Sequence, residues 1–310
     1  MRTYDEDTIN GTGAFLVGEL ERLDPTLNEP LVDYTWGRDI DLRTDVTIAN
    51  DTTSFTRTGF AASGANSNGK NWVSGNSTEI PGISVKTDKV DSPMFIWGME
   101  LGYSIIELAR SMEAKRPLER DKFTGLQMKH NMDVDEMVYI GDAHMGKTGL
   151  INNPNIAPEN VTTNWNTATP KEKLDDINNL IHRAWEQSGF AVCPTDIRLS
   201  PLSFSKLLEP VSAAGSKSIL QYIKEECLAQ AINGREPNIL PLKWLRGRGA
   251  GGVNRALAYT KAERFVRFPM VPLQRTPLEH RGIHHLATYY GALGVVEFVY
   301  PETVAYVDGM

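Results

Sequence analysis

Hydrophobic spacing changes character several times along the chain, and each change marks an expected element. The first 45 or so residues have no sustained period. Isolated anchors (Phe15, Leu16, Val17, Tyr34, Trp36) stand among acidic and turn residues. Such a segment buries too little apolar surface to fold alone, so it is expected to be an extended arm with one short helix near 14–23, lying against other structure. Residues 45–49 and Thr52–Ala62 are rich in Thr, Val, Ile and Phe with partial alternation, and 83–97 form a second β-prone stretch. Between them lies ASGANSNGKNWVSGNS, dense in Gly, Ser and Asn. A polar turn segment of that length between two strands predicts a β-hairpin arm projecting from the body.

Helical spacing follows. Leu101, Ile105, Leu108, Ala109 and Met112 fit one helix face. Pro117 suits the first turn of a second helix over 117–138, about 33 Å long. Its apolar set (Phe123, Leu126, Met128, Met132, Met137, Val138) is irregular, and Gly125 near the middle costs about 1 kcal/mol relative to Ala. After a loop, Thr169, Pro170 and Glu172 form a capping box with proline at the first helical position. The stripe Leu174, Ile177, Ile181, Trp185, Ser188 follows, and Gly189 ends the helix. Residues 190–193 and 196–199 read as short strands. Ser200 and Pro201 open another helix, and Ser216 is expected to cap a third that carries Ile219, Leu220, Ile223 and Cys227. This alternation predicts a compact α/β lobe. RGRGAGG at 246–252 reads as a flexible loop, residues 295–300 and 304–307 as closing strands, and no internal repeat is present.

Composition narrows the function classes. Of 310 residues 41% are apolar and 23% charged, as in ordinary globular proteins. No apolar run approaches the roughly 20 residues of a membrane-spanning helix. The start, MRTYDEDTIN, is polar and acidic, unlike a secretory signal. Cys193 and Cys227 are the only cysteines and lie far apart, which excludes a disulfide framework or zinc ribbon and suits a reducing cytosol. The net charge of −7, with basic residues scattered apart from Arg246 and Arg248, argues against sequence-specific DNA binding.

One string points the other way. Gly141-Asp142-Ala143-His144-Met145-Gly146-Lys147-Thr148 matches the Walker A pattern at every fixed position. In a nucleotide site such a loop turns backbone N–H groups to the phosphates, Lys147 would reach the β and γ groups, and Thr148 would hold magnesium. That chemistry needs a strand before the loop and a helix starting at the lysine. Here NMDVDE precedes and GLINNPN follows, neither of which suits that frame, and no Walker B strand is found. Gly141, Gly146, Lys147 and Thr148 are therefore read as a chance match in a turn-rich loop, with no cofactor expected. His280, His284 and His285, beside Glu279, would share a metal if two of them lay four apart on a helix. Gly282 and the strand-like sequence that follows oppose a helix, so no metal site is expected. The adjacent acids Asp175, Asp176 and Glu225, Glu226 read as solvated helix faces. No nucleophile elbow or Cys/His pair points to catalysis, and RGRGAGG lacks the interleaved aromatics of an RNA-binding loop.

The order of parts resembles the Hong Kong 97-like capsid fold of tailed bacteriophages, an α+β class whose architecture is also shared by encapsulins. The run IELARSMEAKRPLERDKFTGLQMKHNMDVDEMVYIGDAHMGKTGLINNPN is similar to a signature stretch of these proteins. It joins a helix with Glu107, Ala109 and Arg110 to a long helix and then to "GD…GLINNP". The closing GVVEFVYPETVAYVDGM resembles the family's last strands. The resemblance implies an N-terminal arm (1–44), an extended loop (45–97), a peripheral domain (98–154 and 261–310) with a spine helix at about 117–138, and an α/β axial domain (155–260) with 246–252 at its tip near a symmetry axis.

It further implies a non-enzymatic major capsid protein. The chain would assemble with itself as hexamers and pentamers in a bacterial host's cytoplasm, forming the icosahedral head of a virion around double-stranded DNA. Some family members carry a cleaved N-terminal scaffolding segment, and 310 residues are short for one. A separate scaffolding protein is therefore expected, with a portal, a possible decoration protein, only non-specific proximity to DNA, and no membrane. Lys70 and Trp72 on the loop tip and Arg246 and Arg248 are the candidate assembly contacts. An encapsulin-like compartment is the alternative, and a nucleotide-binding protein the remote one.

Overall fold

The computed structural model describes residues 31–62, 71–72, 75, 82–113, 118–161, 163–212 and 217–310. The helix expected near 14–23, Lys70, Pro117 and Ser216 lie outside these residues.

Two sheets and a ribbon carry the fold. The first sheet runs β1 (Asp41–Arg43), β9 (Val266–Arg275), β11 (His284–Leu293) and β10 (Glu279–Arg281), with β4 (Phe95–Ser104) also on β11 and β12 (Glu297–Phe298) on β9. β11 pairs with β4 along its whole length, from His284 opposite Ser104 to Leu293 opposite Phe95. Alternate residues of β4 face inward, so Leu101 and Tyr103 are buried with Leu126, and Trp97, Met99, Phe123 and Tyr289 pack on them. The covering element is a 22-residue helix, α3 (Leu118–Tyr139), reached through the short helix α2 (Ile105–Glu113). Trp97 Nε1 donates to Asp133 Oδ2 at 2.9 Å and ties β4 to that helix.

The second sheet runs β5 (Glu159–Asn160), β13 (Ala305–Asp308), β8 (Arg255–Tyr259), β6 (Asp196–Leu199) and β7 (Asn238–Pro241). Helix α4 (Pro170–Gln187) packs across it and buries Leu174, Ile177, Leu180, Ile181 and Ala184. Its start is the expected capping box: Glu172 N–H donates to Thr169 Oγ1 and Thr169 N–H to Glu172 Oε2. Three short helices complete the lobe, α5 (Pro201–Ser205, capped by Ser200), α6 (Ile219–Glu226) and α7 (Leu228–Asn233). The third unit is a two-stranded ribbon of β2 (Thr52–Ala62) and β3 (Ile83–Pro93). The chain enters the described body through α1 (Trp36–Asp39).

Several expectations are corrected. Leu101 belongs to β4 and not to a helix, because Trp97, Met99, Leu101 and Tyr103 alternate as a strand up to Ser104. Residues 45–49 form no strand; the pairing segment is β1, which runs parallel to β9. Residues 190–193 form no strand; the chain turns at Gly189 and Phe190, at φ 66° and 62°. Ser218, not Ser216, caps α6, accepting from the Gln221 N–H. Asp176 is not solvated: it is buried and accepts from Trp165 Nε1 at 2.7 Å, and burial holds its carboxyl above the usual range. The segment 261–310 is also split. β13 pairs with β8 in the α/β lobe, although β9 to β12 belong to the other sheet.

Candidate assembly surfaces

Each strand of the ribbon has eleven residues, a reach of about 36 Å. Its root is held by one buried carboxylate. Glu297 on β12 accepts from Thr53 Oγ1 at 2.7 Å, Arg267 Nε at 2.7 Å and Arg43 Nη1 at 3.1 Å, which joins ribbon, sheet and entering chain. Arg57 Nη2 adds a bond to the Phe298 carbonyl at 2.7 Å. Beyond Arg57 the register decides the exposure. Phe60 pairs with Val85 and Ala62 with Ile83, so Phe60, Val85 and Ile83 share one face. Lys86 and Asp88 lie on the other and pair with each other. The apolar face is open: Phe60 is 72% exposed, Ile83 69% and Val85 58%. Helix α2 is similar, with Ile105, Ile106 and Met112 exposed and none of its residues buried. An isolated two-stranded ribbon is marginally stable in water, and an apolar one invites association.

The entering chain is clasped to both lobes. Asp39, fully buried on α1, accepts from Arg38 Nε at 2.7 Å, from Arg198 Nε on β6 at 2.9 Å and from Tyr139 Oη at the end of α3 at 2.5 Å. Tyr259 Oη on β8 donates to the Asp39 carbonyl at 2.6 Å. Burial pushes the Asp39 carboxyl up, but Arg38, Arg198 and the Tyr139 hydroxyl outweigh it and hold it below the usual range. Asp135 on α3 repeats the device, accepting from the Thr35 and Trp36 N–H groups and from Trp244 Nε1.

The Walker-like string follows helix α3, and no helix begins at Lys147. Its N–H groups are turned into the loop itself: those of His144 and Met145 donate to Asp142 Oδ1, and that of Lys147 to the Asp142 carbonyl. The residues after it cap the long helix. The N–H groups of Leu150, Ile151 and Gly149 donate to the carbonyls of Val138, Tyr139 and Ile140, and Asn152 Nδ2 also donates to Ile140. These are the carbonyls that a helix end leaves without partners. Gly149 is required by this close approach, since a Cβ there would lie 2.4 Å from the Tyr139 carbonyl carbon. Gly149→Ala is therefore expected to destabilise the fold by about 1–3 kcal/mol, read as a lowered denaturant midpoint.

The loop 246–252 is fixed where a flexible loop was expected. Gly249 N–H donates to the Val253 carbonyl at 2.7 Å and Ala250 N–H to Asp308 Oδ2 at 3.0 Å. Asp308 is itself buried and paired twice with Arg255. Arg246 and Arg248 are exposed on this hydrogen-bonded turn, and Trp72 is exposed near the ribbon's end. The structure does not bring Trp72 together with the arginines by any described contact. Ser104 and Glu107, missed in the sequence, form a second capping box: Glu107 N–H donates to Ser104 Oγ and Ser104 N–H to Glu107 Oε2. The S-x-x-E signal for it was present. Among the described residues no group of three or more His, Cys, Asp or Glu could hold a metal, and no helix is long and apolar enough to cross a membrane.

Two lobes around a long helix, with a rooted ribbon that leaves one apolar face open, define a chain of α+β architecture. A family model described as major capsid protein matches residues 69–310, and the chain belongs to that family. The fold is the Hong Kong 97-like one. The capsid of Myoviridae phage XM1 is similar over 96% of this chain and 100% of that one, at 16% identity and a TM-score of 0.78. Mycobacterium phage Ogopogo is similar over 99% of both chains, at 11% identity and a TM-score of 0.60. The holo-SrpI encapsulin complex from Synechococcus elongatus is similar over 100% of this chain and 96% of that one, at 11% identity and a TM-score of 0.54. No curated protein sequence matches the chain.

Proposed function

We propose that this chain is the major capsid protein of a tailed bacteriophage and builds the icosahedral head around double-stranded DNA. The observation that carries the reading is the ribbon. Its root is fixed by Glu297, whereas Phe60, Ile83 and Val85 face solvent on one side. A projecting apolar face of that kind is completed by another copy, and symmetry repeats each such contact over a closed shell. Hexamers and pentamers of one chain, a separate scaffolding protein and a portal belong to the proposal. So does a role in assembly and not in catalysis. Lys70 and Trp72 would extend the ribbon's contact, and Arg246 and Arg248 would contact neighbouring copies from their fixed turn. The domain division proposed is 1–44 for the arm, 45–97 for the extended loop, 98–154 with 261–304 for the peripheral domain and its spine helix, and 155–260 plus the β13 strand for the axial α/β lobe.

Electron microscopy of the purified protein, alone and co-expressed with its phage's scaffolding protein, tests this. Closed shells of hexamers and pentamers are expected, and monomers or dimers under every condition would overturn it. An encapsulin-like compartment is favoured by the likeness to the Synechococcus complex. Shells purified from the native source that hold one enzyme and no DNA would establish that reading instead.

A further inference from the structure

We infer that the β10–β11 hairpin carries a two-histidine site for a divalent transition-metal ion of tetragonal preference, such as copper(II) or nickel(II). The sequence separates His280 and His285 by a turn, and Gly282 at φ 64° closes it. The register makes them direct cross-strand partners, so both rings lie on one face of the sheet. Tyr103 of β4 stands opposite His285 on the same face, with rings stacked at 5.5 Å. Alternation puts Glu279, Arg281 and His284 on the other face, so no Arg or carboxylate neighbour along these strands competes for the pair. His285 Nδ1 is buried without a hydrogen-bond partner, an orphan acceptor or donor that a ligand would satisfy.

The spacing fits chelation. An imidazole nitrogen binds such metals at about 2.0 Å, which puts the metal about 3.1 Å from the ring centroid. Two ligands in cis positions, about 90° apart, then have centroids about 4.5 Å from each other. The His280 and His285 centroids are 4.5 Å apart with rings at 80°. A turn of each ring about its Cβ–Cγ bond, a broad torsion, would aim one nitrogen of each at a shared position. Two imidazoles with the remaining positions left to water suit tetragonal nitrogen- and oxygen-ligated ions such as copper(II) or nickel(II). Two imidazoles occupy two positions and water fills the others, which limits the affinity.

Copper(II) alone, titrated into the full chain and followed by electron paramagnetic resonance, tests the site. One ion per chain is expected, with nitrogen couplings from two imidazoles. His280→Ala, at an exposed position that the fold tolerates, should weaken binding at least tenfold, and so should His285→Ala. His284→Ala, on the opposite face, should change it less than twofold. Absence of binding below 1 mM would overturn the inference, and so would binding that His280→Ala leaves intact or that His284→Ala weakens equally.

Discussion

Asp39→Ala is expected to destabilise the protein by about 3–5 kcal/mol. The reason lies in what remains. Arg198 has no exposed surface, and without Asp39 its Nε loses its carboxylate in a site closed to bulk solvent. Asp196 and the carbonyls of Asn238 and Ile197 still accept from its other nitrogens, which keeps the effect finite. Arg38 is partly exposed and can turn to solvent, so it adds little. Tyr139, at the end of the long helix, loses its acceptor as well. The double change Asp39→Leu with Arg198→Met removes both charges and should recover at least half of the loss, because a buried pair is worth little more than well-packed apolar groups. Denaturant titrations of the single and double variants check both statements, and equal losses in both would contradict them.

The same carboxylate gives the clasp a pH dependence of known sign. Its native pKa is held below the unfolded value of about 3.9, so the unfolded chain binds the proton more readily. The stabilisation is complete above the unfolded value and is lost as pH falls through the native one. Acid therefore loosens the junction between the entering chain, the long helix and the α/β lobe.

What was legible in the sequence was local. The capping box at Thr169 and Glu172 was readable because both partners lie within four residues, and so was the run of turn residues that separates the ribbon strands. Leu101 and Ile105 sit four apart, a spacing that mimics a helix face across a strand–helix junction and so misplaces Leu101. The S-x-x-E pair at Ser104 and Glu107 marked that junction correctly. Asp176 looked like a solvated acid beside Asp175, and only the approach of Trp165, eleven residues earlier, makes it a buried acceptor. The clasp was not legible at all. Asp39 meets Arg198 across 159 residues of sequence and Tyr139 across 100, and nothing in the run around Asp39 distinguishes it from a surface acid. Glu297 is of the same kind, since its partners Thr53, Arg43 and Arg267 converge only when the sheet forms.

Phe60→Asp combined with Val85→Lys is expected to abolish shell assembly and leave the folded body unchanged. The two residues are direct cross-strand partners on the ribbon's open face, so their replacement keeps the ladder and adds a charge pair across it. The body loses nothing, because neither side chain touches its buried clusters. Assembly loses the burial of two apolar side chains, each worth about 1.5–3 kcal/mol, and gains the cost of desolvating two charges. In the proposed shell every subunit makes this contact, so the penalty would recur around each ring and cooperative closure would magnify it. Sedimentation velocity should then show capsomers or single chains where the parent protein gives particles, with the thermal midpoint of the free chain shifted by no more than a few degrees. Lys86→Ala is the matched control, since Lys86 lies on the ribbon's other face, where it pairs with Asp88, and it should assemble normally. Shells formed at parental yield by the double variant would mean that the ribbon's apolar face is not the surface on which copies meet, and the exposed side of α2, with Ile105, Ile106 and Met112, would be the next to alter.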